Sequence, residues 1–137
     1  MKKILFAALM AGSLMACHQE EKKADVKYTT DGSDIRYEAS TFDFGKIKEG
    51  DKVSHSFKFT NTGKSPLIIT SAVASCGCTT PVWPRSPIMP GDTGSISVTF
   101  NSDNKSGLQD KLITITANTQ PAQSIVHLLG EVLSTKK

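Results

Sequence analysis

The chain has 137 residues, of which 38% are hydrophobic and 21% charged, with a formal net charge of +3. That length suits one ordinary domain, and the balance of apolar and charged residues excludes wholesale disorder. The same figures argue against a multidomain enzyme, a polytopic membrane protein and a coiled coil.

Met1-Lys2-Lys3 is a short positive start, and Ile4 to Met15 is an unbroken run of apolar or small residues. Such a run fits the core of a signal peptide and is too short to span a bilayer comfortably. Leu14-Met15-Ala16-Cys17 resembles the bacterial lipobox, in which a small residue precedes a cysteine. The resemblance implies cleavage before Cys17, a diacylglyceryl thioether on its sulfur and an acylated new amino terminus. An ordinary secretory signal with an accidental cysteine is the competing reading. The expected layout is a leader over 1–16, an anchor and tether over 17–34, and a folded domain over 35–137. Loss of the leader removes Lys2 and Lys3 from the positive total. The remaining basic residues are scattered among acids without a stripe, so nucleic acid is not an expected partner. The membrane is reached through lipid, for which two or more acyl chains give stable anchoring.

His18 to about Ser33 is polar and mixed in charge, without apolar periodicity, and reads as a solvated tether. Gln19-Glu20-Glu21 resembles the acidic export signals that follow the lipid cysteine in Bacteroidota-type lipoproteins. That implies display on the outer face of the outer membrane. His18 is not the aspartate associated with inner-membrane retention in enterobacteria.

Strand signals begin near Ile35. Ile35-Arg36-Tyr37 and Thr41-Phe42-Asp43-Phe44 alternate briefly and stop at Gly45. Val53, His55, Phe57 and Phe59 then occupy every second position, which predicts one buried and one wet face. Asn61 to Pro66 is a turn cluster. Leu67 to Ala74 is β-branched and nearly continuous, as expected of a strand covered on both sides. Ile96, Val98 and Phe100 alternate with polar residues, Asp103 to Gly107 turns the chain, and Leu112, Ile113 and Ile115 mark another strand. Asn118 to Pro121 turns it again before Ser124 to Leu133. About seven short strands, no helical period and regular turns predict an all-β, immunoglobulin-like sandwich. Cys76 and Cys78 are too close in sequence to bridge two sheets as in an antibody domain.

The segments FDFGKIKEGDKVSHSFKFTNTGKSPLIIT (42–70), SCGCTTP (75–81), MPGD (89–92) and ISVTFNSDNKSG (96–107) resemble the bacterial domain-of-unknown-function family 1573. That family is similar in turn to immunoglobulin-like ASPM/SPD-2/Hydin and major-sperm-protein domains. The resemblance spans roughly 36–133, and SCGCT is its most specific piece. It implies the fold and an envelope location, and no established activity.

Cys76-Gly77-Cys78 is the main chemical constellation. With Cys17 lipidated, an even pair remains, and even cysteines outside the cytoplasm usually end as disulfides. Residues i and i+2 of a strand lie about 6.6–6.8 Å apart, whereas disulfide Cα separations run about 4.4–6.8 Å. A bridge therefore needs a bend, which Gly77 permits. So small a loop contributes roughly 1.6 kcal/mol of entropic stabilisation, and a tight ring is more oxidising than an ordinary structural bridge. Three readings compete at this point, a local disulfide pinning a strand end, a soft-metal site for copper and a redox-active dithiol, with a reduced, buried thiol pair as the remaining alternative. The metal site would require His55, His127 or Met89 to converge on the thiolates.

His55 and His127 each sit among apolar neighbours, which suits core or rim positions. Met89 reads as a loop contact. Trp83, among Pro81, Pro84, Pro87 and Pro90, caps the sandwich or, alternatively, marks a recognition edge. No nucleophile–base arrangement, paired carboxylates or phosphate loop is evident, so catalysis is not expected. The expected protein is a lipid-anchored envelope module that binds another envelope protein or a glycan and uses no cofactor. The alternative is copper or thiol-redox handling through the cysteine pair.

Overall fold

The computed structural model describes residues 32–136. The leader, Cys17 and the tether before Gly32 lie outside them. Eight strands are formed: β1 (Ile35–Tyr37), β2 (Thr41–Lys48), β3 (Lys52–Asn61), β4 (Ile69–Ala74), β5 (Thr79–Val82), β6 (Thr93–Asn101), β7 (Gly107–Ala117) and β8 (Gln123–Leu133). They build two four-stranded sheets, ordered β1-β3-β6-β5 and β2-β8-β7-β4. All pairings are antiparallel except that of β2 with β8. The fold is an immunoglobulin-like sandwich, as the alternation predicts. Among the described residues no helix is long and apolar enough to cross a membrane.

The core lies where the two periodic faces meet. β3 supplies Phe57 and Phe59, β6 supplies Ile96, Val98 and Phe100, β7 supplies Ile113 and Ile115, and β8 supplies Val126, Leu128 and Val132. The residues between them along each strand point the other way, because side chains alternate across a strand. On the outside of the first sheet this leaves hydroxyl pairs, Ser54 with Thr99 at 3.0 Å and Ser56 with Ser97 at 3.1 Å.

Two expectations need correction. Leu67 to Ala74 is not covered on both sides. β4 is the last strand of its sheet, and Val73 is 62% exposed. The run looked continuous because its outward positions are Val and small residues rather than charges. The eighth strand, β5, escaped the sequence reading because Pro81 lies inside it and made it look like part of a proline-rich loop. Proline is tolerated there because β5 is an edge strand.

Candidate functional site at the uncharged margin

From Ser65 to Pro84 the chain carries no acidic, basic or histidine side chain. Both strands in this run are edges: β4 closes the second sheet and β5 the first. The two are joined by 75–78 and lie on one side of the sandwich. Exposed edge strands are ordinarily guarded by charge, proline, brevity or bulges. β5 is short and holds Pro81. β4 has an irregularity between Ile69 and Ser71, after which Ser71 to Ala74 pairs regularly with Thr116 to Ile113 of β7. Its outer backbone edge has no neighbouring strand among the described residues.

The surface beside that edge is apolar and hydroxylated. Ser71, Val73 and Ser75 stand next to Leu112, Thr114, Thr116 and Gln123, around a shallow depression. Val73 pairs with Thr114, which pairs with Ile125, so two exposed aliphatic side chains flank a threonine across three strands. Sequence reasoning did not single out Val73. The absence of charge over 65–84 was the available signal, but it does not say which strand ends up at an edge.

Cys76 and Cys78 lie in the β4–β5 connection. They are joined as a disulfide with Cα atoms 5.3 Å apart, closer than strand spacing allows, so the chain bends at Gly77. Cys78 packs against the core. Backbone bonds fix the bend on both sides: Ser75 N donates to Leu112 O at 2.9 Å, and Asn101 N donates to Cys78 O at 2.9 Å. The buried Thr79 places Oγ1 3.7 Å from Cys76 Sγ and 3.8 Å from Cys78 Sγ.

The other candidates do not gather around the cysteines. His55, on the inner face of β3, stacks on Phe42 at 3.8 Å between centroids and meets Phe57 edge-on at 4.7 Å. Burial holds its pKa below the usual histidine value. His127 takes the rim position rather than the core one. It points outward from β8, and its Nδ1 donates to Asp110 Oδ1 at 3.0 Å. Met89 is exposed at the Asn61 end of the β3–β6 ladder, whereas the cysteines sit at the Asn101 end. Among the described residues no three His, Cys, Asp or Glu side chains group as a metal site would need. Trp83 packs partly buried against the core, with the Arg85 guanidinium 4.0 Å from its ring centre.

A buried residue that the sequence reading placed in a turn proves to be structural. Asn61 is fully buried, donates to Ser65 O at 2.8 Å and Ile88 O at 2.9 Å, and accepts from Gly63 N at 2.9 Å. It ties the end of β3 to the loops that precede β4 and β6.

These features define an immunoglobulin-like β-sandwich domain. A family described as protein of unknown function (DUF1573) matches residues 35–132, and the chain belongs to that family. No curated protein matches the chain in sequence. Among solved structures, it is similar to a protein of unknown function from Porphyromonas gingivalis W83, with 18% identity and a TM-score of 0.64 over 72% of this chain and 46% of that one. PapD-like domain 7 of human CEP192 gives 11% identity and a TM-score of 0.56 over 98% and 100%. The YadV chaperone gives 17% and 0.53 over 72% and 52%. The chain thus spans under half the length of the Porphyromonas protein and about half of the chaperone. At these identities the likeness concerns the fold alone.

Proposed function

We propose that the chain is a lipid-anchored cell-envelope module that binds an extended segment of another envelope polypeptide along β4. The observation that carries this reading is the open edge of β4: no charge or proline, regular pairing from Ser71 to Ala74, and Val73 standing open beside it. Strand addition uses unpaired backbone groups for affinity and alternate side chains for specificity. The hydroxyls and aliphatics around Val73 suit a partner segment that alternates small polar and apolar residues. Cys17 would hold the domain at the membrane, and the tether would give it reach.

Neither described histidine is bonded to a hydroxyl or thiol, since His55 meets aromatic rings and His127 meets Asp110. That supports a binding role over a catalytic one. The test has two arms. In cells that make the protein, Cys17→Ser is expected to shift it from the membrane to the soluble fraction. Crosslinking in intact cells is expected to link the wild-type chain to one envelope polypeptide. Retention of the Cys17→Ser chain in the membrane would refute the anchor, and capture no greater than background would refute the binding role.

A further inference from the structure

The Cys76–Gly77–Cys78 ring plays no part in strand addition, and its surroundings suit another chemistry. We propose that it is a thiol–disulfide exchange site that accepts electrons from a reduced dithiol of a polypeptide partner. This does not rest on the strand-binding reading.

Four observations carry it. The ring encloses a single residue, so opening it returns little chain entropy to the unfolded state and costs the fold little. The loop is held by backbone bonds at Ser75, Cys78 and Thr79 that do not involve sulfur, so the reduced form keeps its place. Approach is open: Gly77 is exposed, and a Cβ built on it would meet no heavy atom within 4 Å. Finally, the site can stabilise a thiolate. Thr79 Oγ1 stands near both sulfurs, and a hydroxyl that donates to a thiolate favours the charged form. Lys52 lines the same cleft as Gly77 and Cys78, and an ammonium acts in the same direction. Asp103 also lines that cleft and acts against it, but its carboxylate accepts from Asn101 Nδ2 at 2.9 Å.

The two sulfurs differ. Cys78 packs against the core and lines the cleft with Lys52, which suits the leaving sulfur. Cys76 is the one attacked. A partner thiolate bonds to Cys76 Sγ, the ring S–S bond breaks, and its electron pair stays on Cys78 Sγ, near Thr79 and in the cleft that Lys52 also lines. The partner's second thiolate then attacks the partner's own sulfur in the mixed disulfide, closing the partner's disulfide and releasing Cys76 as thiolate. One dithiol is oxidised, one ring disulfide is reduced, and the two protons lost by the partner are taken up by the two new thiols or by solvent. The exchange is stoichiometric, one partner disulfide per chain.

The experiment uses the chain purified in detergent from the cells that make it. It is mixed with an equimolar reduced dithiol peptide, quenched with an alkylating agent and weighed intact. The expected result is peptide disulfide appearing together with two alkylated cysteines on the chain. Thr79→Val is expected to slow the exchange about tenfold, the effect of one hydrogen bond to a charged group, and Thr79→Ser to restore it. Lys52→Gln, exposed and tolerant of change, is expected to slow exchange by a smaller factor, less so at high salt. Cysteines that resist alkylation in about a hundredfold excess of reduced glutathione would overturn the proposal and leave a structural pin. Wild-type exchange rates in a folded Thr79→Val and in Lys52→Gln would equally overturn it.

Discussion

The two margins of the sandwich are built from the same kind of strand and end differently. At one, β1 and β2 carry Arg36, Asp43, Lys46 and Lys48, with Asp34 and Glu38 flanking β1. Lys46 meets Glu131 at 3.1 Å, and the β2–β8 register slips between Asp43 and Lys46. An exposed ion pair of this kind stabilises the fold by about 0–1 kcal/mol. Charge and bulge together keep other chains from pairing there. At the other margin β4 has neither charge nor proline, and its side chains reach solvent as Val, Thr and Ser. The guarded margin is also the better packed: Phe42 stacks on His55, and Phe44 fills the space left by Gly130. This fold therefore treats its two margins differently. It closes one with charge and packing and leaves the other without charge from Ser71 to Ala74.

Perturbing the interior that both margins share has the largest expected effect. Asn61→Ala removes the side-chain donor to Ser65 O and Ile88 O and the acceptor of the Gly63 N–H, and is expected to cost about 3 kcal/mol, read as a lower urea midpoint with unchanged slope. At the guarded margin, a Cβ at Gly130 would collide with the Phe44 ring. Gly130→Ala is expected to cost about 1–3 kcal/mol by overpacking. If it were neutral in the same titration, the tight packing ascribed to that margin would be wrong.

A smaller effect at the guarded margin depends on pH. Burial lowers the pKa of His55 in the folded chain, so the unfolded chain takes up the proton first. The contribution is fully present above the unfolded value of about 6.5 and declines as pH falls through it toward the folded pKa. His55→Leu should lose less stability than wild type between about pH 7 and about pH 5. Equal losses in paired denaturant titrations would remove His55 from the account. The smallest effect on stability belongs to the open margin. Val73→Lys should change stability by less than about 0.5 kcal/mol, because the side chain is exposed. It should nevertheless abolish partner capture, because a charge on an edge guards it.

The sandwich was legible because period two is written plainly in β3 and β6, where Phe57, Phe59, Ile96, Val98 and Phe100 fall on alternate positions and all are buried. β4 was misjudged because an unbroken run of Ile, Ala, Val and Ser reads the same whether its outer face meets another layer or solvent. Strand order decides that, and strand order is set by contacts far apart in sequence. Asn61 looked like a turn residue because asparagine, glycine and serine cluster there, and only packing shows its side chain turned inward. The cysteine pair could be read directly. The role of Thr79 could not, since a threonine beside a cysteine is common and only the bend brings its hydroxyl near both sulfurs. Cys17 was read from its leader and lies outside the described residues.

The most direct test of the open edge places a photo-crosslinking side chain at position 73 or, in a second chain, at position 46, in cells that make the protein. The account predicts capture of one contiguous envelope-polypeptide segment from position 73, mapped by mass spectrometry, and none from position 46. Equal capture from both positions, or none from 73, would contradict it.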